Sequence, residues 1–311
     1  MSDLHIPVLL NEVVESFSNL KGRNDLVYFD GTFGRGGHFK AIQENYSPKL
    51  NYITDQDQRA IQTAEQNWAE LKNSGQLKIF HQNFFEFVES ASADVKFDMA
   101  LLDLGVSSPQ LDQAERGFSF NKDGPLDMRM NQTQALTAAE IVNNYDEEDL
   151  MSIFKSYGEV PNPFRVVKAI LKDRTDKKFE STLQLAQMIE RVDGWHKKGF
   201  HPATQYFMGL RLVVNRELEV VAQVLPRLIE KMQDQGRISV ITFHSLEDRL
   251  VKNIFKESTS GFLVHKKVIV PSENECRMNT RARSAKLRVF QKGAPPEKPD
   301  KFALRRAQRA E

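Results

Sequence analysis

The chain has 311 residues, room for about two domains at ~150 residues each, and 40% of it is apolar, enough to bury real cores and to exclude a disordered or fibrous polymer. A single cysteine, Cys276, excludes an intramolecular disulfide framework and a cysteine-based zinc cluster. The net charge of +1 divides unevenly: residues 277–311 hold eleven Lys and Arg against Glu297, Asp300 and Glu311, so the tail carries +8 and the remainder about −7. A basic segment beside an acidic body suits a phosphate-rich partner, because each neutralised phosphate releases a counterion. Charge alone supports a solvated tail equally well; the Arg-rich run Arg281-Ala-Arg283-Ser-Ala-Lys286-Leu-Arg288 favours nucleic acid, since Arg grips phosphate in bidentate fashion and stacks on bases.

At the N-terminus, Ile6-Pro-Val-Leu-Leu10 is far short of the ~18 apolar residues of a membrane span and has no basic flank or cleavage site, so the protein is expected to be cytosolic, without a membrane partner. Leu26-Val-Tyr-Phe-Asp30, Asn51-Tyr-Ile-Thr-Asp55, Leu77-Lys-Ile-Phe-His81 and Phe97-Asp-Met-Ala-Leu-Leu-Asp103 have the length and composition of strands. Ile61, Ala64, Trp68 and Leu71 predict a helix between the second and third, with Asp57 as its cap. Strands alternating with helices imply an α/β fold with a parallel sheet.

After Asp103 the pattern changes. Residues 107–135 show little periodicity, and so long an irregular stretch is usually functional or disordered. Helix starts then follow without intervening strands: Thr137-Ala-Ala-Glu140 and Ser181-Thr-Leu-Gln184 read as capping boxes, and Asn162-Pro163 places Pro at a first turn. Gly158 is expected to stop a helix entered at Asp146. Residues 108–207 therefore read as an all-helical insertion into a discontinuous domain formed by 1–107 and 208–311. A long amphipathic helix from Ala203 to about Leu225 precedes a fifth strand, Arg237-Ile-Ser-Val-Ile-Thr242. Residues 262–270 and 287–291 are expected to form an antiparallel pair at a sheet edge.

In an open parallel sheet, ligands bind beyond the carboxyl ends of the strands. The first strand runs into Asp30-Gly-Thr-Phe-Gly34-Arg-Gly36-Gly37-His38, which lets backbone approach a ligand but fits neither the dinucleotide fingerprint nor a P-loop. An ordinary tight turn explains that stretch as well. Asp55 ends the second strand where a carboxylate can accept both ribose hydroxyls, although a surface acid serving a helix start is the plainer alternative. Phe84 follows the third strand as an apolar face for adenine or simply as core. Asp103 ends the fourth, before Leu104-Gly-Val-Ser-Ser-Pro-Gln110. Together these ends suit an adenosine-bearing cofactor without a pyrophosphate, S-adenosylmethionine rather than a dinucleotide.

Those residues carry a resemblance that extends over almost the whole chain. The runs Pro7-Val-Leu-Leu10, Asp30 to His38, Leu101 to Gln110, Arg116-Gly-Phe-Ser-Phe120, Gly124-Pro-Leu-Asp-Met-Arg129, His201-Pro-Ala-Thr204, Asn215-Arg-Glu-Leu218, Phe243-His-Ser-Leu-Glu-Asp248 and Asn279-Thr-Arg-Ala-Arg-Ser-Ala-Lys286 resemble the MraW family of bacterial 16S ribosomal RNA cytosine-N4 methyltransferases. The resemblance implies a Rossmann-like class I methyltransferase sheet interrupted by a helical substrate-recognition domain. It implies transfer from S-adenosylmethionine to a decoding-centre cytosine, with 16S rRNA in the small subunit as partner and a homodimer compatible with it. Its cofactor contacts fall on Gly34, Gly36, Gly37, His38, Asp55, Phe84, Asp103 and Gln110. Two departures stand out: Asp55-Gln-Asp57-Gln58 lacks the usual acid-basic-acid-Pro order, and Phe207-Met-Gly-Leu-Arg211 replaces Phe-Gln-Ala-Leu-Arg.

For chemistry at N4, Asp103 and the segment around Ser108 are expected to orient the amino group and receive its proton, with His244 as either a further catalytic group or a structural histidine. No metal is expected. Arg116, Phe118, Phe120, Arg129, Arg211, Arg281 and Arg283 are the expected RNA contacts, with a satellite core as the plainer explanation for Phe118 and Phe120. A non-catalytic RNA-binding protein, or a methyltransferase of another nucleic acid, is the competing reading.

Overall fold

A computed structural model describes residues 7–106, 108–195 and 200–295, except for the side chains of Ser108 and Pro109. Strands β1 (Val27–Asp30), β2 (Leu50–Asp55), β3 (Leu77–His81), β4 (Phe97–Asp103), β5 (Met232–Thr242), β6 (Gly261–Leu263) and β7 (Lys286–Lys292) form one sheet in the order β3-β2-β1-β4-β5-β7-β6. The first five run parallel; β7 pairs antiparallel with β5 and β6. Strand order reverses between β1 and β4, which opens a crevice at their carboxyl ends. The register pairs Asp30 with both Ile53 and Leu101, and Asp103 with Ile241, so Asp30, Asp55 and Asp103 finish at the same end of the sheet.

Strand alternation builds two cores. Tyr28, Met99 and Leu101 pack on one face with Val13, Phe17, Phe39 and Ile42, while Phe29, Ala100 and Leu102 pack on the other with Phe87, Phe97, Leu228 and Phe255. Phe29 stacks between Phe87 and Phe97 at 5.1 Å from each. A third core takes its buried members from residues 118–214, including Ile141, Phe154, Val166, Leu185 and Tyr206, with Val106 and Leu111 packed against it.

Most sequence expectations of helix starts hold. Asp57 caps the helix Gln58–Asn67, Ser181 and Gln184 form a reciprocal capping box, and Asp146 caps Glu147–Ser152. Thr137 supplies only its half of a box, by accepting from the Glu140 N–H. The long helix expected from Ala203 is two helices, Ala203–Val214 and Glu217–Lys231. Arg216 takes a left-handed φ of 50°, and the Asn215 amide turns back to Met128 and Met130. No Gly or Pro marks that break. Tyr206, Phe207, Leu210 and Val214 belong to the helical core, so the expected boundary at 207/208 falls inside the first of these helices. The strand expected over 262–270 shrinks to β6, with Ile269 keeping one isolated bridge to Leu287. His265, Lys266 and Lys267 are exposed and polar in succession, which breaks the apolar alternation of an edge strand.

Candidate active site

The glycine turn after β1 and the end of β2 are built as one unit. Asp55 Oδ2 accepts the Gly34 N–H and Oδ1 the Asp57 N–H, each at 2.8 Å, so the carboxylate braces both turns. Gly36 has φ 75°, and a Cβ there would stand 2.5 Å from the Phe33 ring; only glycine lets the chain enter the helix Gly37–Tyr46. Phe84 opens the helix Phe84–Ser90 behind a capping box of Asn83 and Glu86.

Asp103 is the most unusual group. Its Oδ2 stands 3.6 Å from His38 Nδ1, while its buried Oδ1 has no hydrogen-bond partner among the described residues. His38 Nε2 lies 2.9 Å from the Val8 carbonyl, which can only accept, so Nε2 carries a proton and Nδ1 is the ring atom that faces Asp103. Burial, then the neighbouring Asp30 and Glu247, push Asp103 up to about 8. Burial likewise raises Asp30 to about 7 and Asp55 to about 6, against hydrogen bonds that favour their charged forms.

Gly34, Gly37, His38, Asp55, Phe84, Asp103 and Gln110 line one cleft of about 460 Å³ at this end of the sheet. Gly36 shapes the turn without lining the cleft. The Ser108 side chain lies outside the described residues. Arg35, Gln56, Arg59, Met130 and Phe243 also line the cleft; the sequence did not single them out as site residues, although Arg35 and Phe243 sit inside the family-like motif runs.

Several expected RNA contacts are engaged elsewhere. Arg116 is buried; its guanidinium holds Asp57 at 2.8 Å and the carbonyls of Arg129 and Met130. Arg129 forks onto Asp127 and donates to the Gln134 carbonyl, and Arg211 forks onto Glu217. Phe118 is core, and Phe120 packs on His201 and Phe207. Arg116, Phe118 and Arg129 hold the irregular segment together, while Arg211 ties the helix Ala203–Val214 to the helix Glu217–Lys231. Arg281 and Arg283 remain exposed, Arg281 at the cleft and 2.6 Å from Asp112. In the basic tail, Arg288 and Lys286 belong to β7 and pair with Asp248; the cations from 298 onward lie outside the described residues.

His244 does not line the cleft. Its Nδ1 caps the helix Ser245–Glu257 by accepting the Glu247 N–H, and its ring is buried off the cleft. Nε2 stands 3.1 Å from Glu247 Oε1. Burial works to raise Glu247, yet His244 and Arg211 hold it below the usual range. Among the described residues, no cluster of potential ligands could hold a metal, and no helix is long and apolar enough to cross a membrane.

Two tests follow from this geometry. Arg116→Ala strands a largely buried Asp57 and two carbonyls, so the chain loses about 3 kcal/mol in denaturant titration, the usual scale for a broken buried pair. Weakened RNA binding with an unmoved denaturation midpoint would instead restore Arg116 as a surface RNA contact. The raised carboxyls also tie stability to pH. Unfolded carboxyls titrate near 4, so between about pH 4 and pH 8 the folded chain binds the extra protons, and this contribution falls as pH rises. Asp103→Asn removes its share of the penalty. The variant's Tm relative to the parent is expected to rise from pH 5.5 to 8.5; a constant difference would contradict the raised Asp103.

The profile of the MraW methylase family matches residues 2–293. Relatives named ribosomal RNA small subunit methyltransferase H match along almost the whole chain. The one from Bdellovibrio bacteriovorus is 56% identical over 94% of this chain and 89% of its own length. The Cyanothece relative is 43% identical (93% and 95%), and that of Shewanella halifaxensis 40% (93% and 96%). A solved rRNA methylase structure from Streptococcus thermophilus aligns over 93% of this chain and 99% of that one at 8% identity and TM-score 0.45, too loosely to bear on the chemistry. The family match covers the glycine turn, all three strand-end aspartates and the helical core, and the chain belongs to the MraW methylase family.

Proposed function

We propose that the protein transfers the methyl group of S-adenosylmethionine to the exocyclic N4 of a cytosine in 16S ribosomal RNA, at the decoding centre of the small subunit, in the cytoplasm. The observation that carries this reading is the cleft itself, where a glycine turn, an acid at a second strand end and a raised acid at a fourth converge. Its volume is on the scale of small-molecule sites. The donor set fits the cofactor: Asp55 has remaining lone pairs for ribose hydroxyls, Phe84 an apolar face for adenine, and the glycine turn exposed backbone.

When bound, S-adenosylmethionine supplies an electrophilic methyl on a sulfonium. The chain's own part is to present N4 to it. That nitrogen's lone pair is delocalised into the ring, so an acceptor must orient the amino group and take its proton as positive charge builds. The Asp103 carboxyl is partly exposed to the cleft, and a pKa raised to about 8 suits proton exchange there. We assign the backbone of residues 108–110 to positioning the base beside it.

Arg281 and Arg283 serve the RNA backbone, a phosphate replacing Asp112 on Arg281. We read the helices up to Val214 as an insertion, with the target cytidine leaving its stack to enter between insertion and sheet. Labelled methyl transfer tests the substrate class: small subunits from cells lacking this gene should accept label, and duplex DNA should not. Label on DNA alone would overturn the RNA assignment.

A further inference from the structure

A base drawn out of its stack needs a new flat partner, and enzymes that extrude a nucleotide hold it between aromatic or apolar side chains. The segment after β4, Leu104-Gly-Val-Ser-Ser-Pro-Gln110, contains no aromatic residue. Among the described residues, three phenylalanines line the cleft: Phe33, Phe84 and Phe243. Phe33 is buried under the glycine turn and packs on Phe39. Phe84 follows β3, on the side of the sheet where β2 brings Asp55. Phe243 follows β5, on the other side of Asp103, because β5 pairs with β4 and Asp103 is in register with Ile241. The strand order therefore separates an aromatic on the Asp55 side from an aromatic on the Asp103 side.

Resting on the function proposed above, we propose that Phe243 is the stacking wall for the target cytosine, holding its ring so that N4 meets Asp103. Phe243 is only partly buried and lines the cleft with Asp103 and Gly105. Its position is fixed from two sides. The Phe243 N–H donates to Glu247 Oε2 at 2.9 Å, and Glu247 is itself buried beside His244. Gly105 has φ 121°, and a Cβ there would come within 3.0 Å of the Phe243 ring, so glycine leaves the ring its place. The run Phe243-His-Ser-Leu-Glu-Asp248 then divides its roles: His244 caps the helix, Glu247 anchors the backbone, and Phe243 is the residue presented. His244 is thus a positioning residue that never touches the base.

The test compares Phe243→Leu, which keeps apolar volume, with Phe243→Tyr, which keeps the flat face. Methyl transfer to small subunits lacking the modification is measured for kcat and KM, with calorimetric Kd for S-adenosylmethionine and the thermal midpoint of each variant. Base stacking is worth about 5- to 150-fold, so Leu is expected to lose about that factor in kcat/KM and Tyr to retain most of it, with cofactor Kd unchanged in both. Equal activity of the Leu variant and the parent would overturn the wall and leave Phe243 as packing. Loss of cofactor affinity in the Leu variant would overturn it in favour of a cofactor contact. A parent protein that binds the cofactor but transfers nothing to the subunits would fail the proposed function itself, which is a different result from any of these.

Discussion

Asp103→Ala is expected to lower methyl transfer to the small subunit by at least about a hundredfold, the lower end for loss of a positioned acid–base group. Two observations make this the largest single effect on turnover. Asp103 lines the cleft with its side chain 27% exposed, so its carboxyl can meet a ligand atom there. Burial, Asp30 and Glu247 together raise the group to about 8, near the pH at which it would exchange a proton with N4. In the free enzyme, kcat/KM reports that ionisation. It should climb as pH rises towards about 8, as the carboxylate forms, and the limb should vanish in Asp103→Asn, which can orient an amino group but cannot take its proton. Cofactor Kd measured on the same variants separates lost chemistry from lost binding. Full transfer rate in Asp103→Ala would remove Asp103 from the mechanism.

Asp55→Ala is expected to weaken S-adenosylmethionine and S-adenosylhomocysteine alike, by about two to four orders of magnitude. A ribose offers two hydroxyl donors, and each charge-assisted hydrogen bond contributes roughly 1.5–3 kcal/mol, or about tenfold per 1.4 kcal/mol. The same carboxylate holds the Gly34 and Asp57 N–H groups, so the substitution also loosens the glycine turn. Asp55→Asn keeps one oxygen acceptor and should fall between parent and Ala. Calorimetry with both ligands decides the matter: the two should lose affinity in parallel, because they share the ribose and differ at sulfur. Unchanged affinity would show that the cofactor's ribose lies elsewhere.

What the sequence alone makes legible follows the range of the interactions involved. Strand ends were legible because apolar runs stop at Asp30, Asp55, His81 and Asp103, and a parallel sheet delivers such ends to one place. Helix caps were legible for a similar reason, as Ser181 and Gln184 meet three residues apart. Arginine roles were not. Arg116 is buried because Asp57, fifty-nine positions away, turns its carboxylate towards it, and nothing local announces that pairing. Arg129 is a nearer case, since Asp127 lies two residues away and a fork could have been suspected. The break at Asn215 and Arg216 escaped because a side-chain amide bonded to Met128 and Met130, rather than a Gly or Pro, ends the first helix. Phe243 escaped because an aromatic at a strand end reads as core until the neighbouring strand shows that it borders Asp103.

The most direct measurement is transfer from labelled S-adenosylmethionine to small ribosomal subunits from cells lacking this gene, followed by nucleoside mass spectrometry. N4-methylcytidine above the no-enzyme control, abolished in Asp103→Ala, is the predicted result. Cofactor binding with label on any other nucleoside, or with no label on the RNA at all, would contradict it.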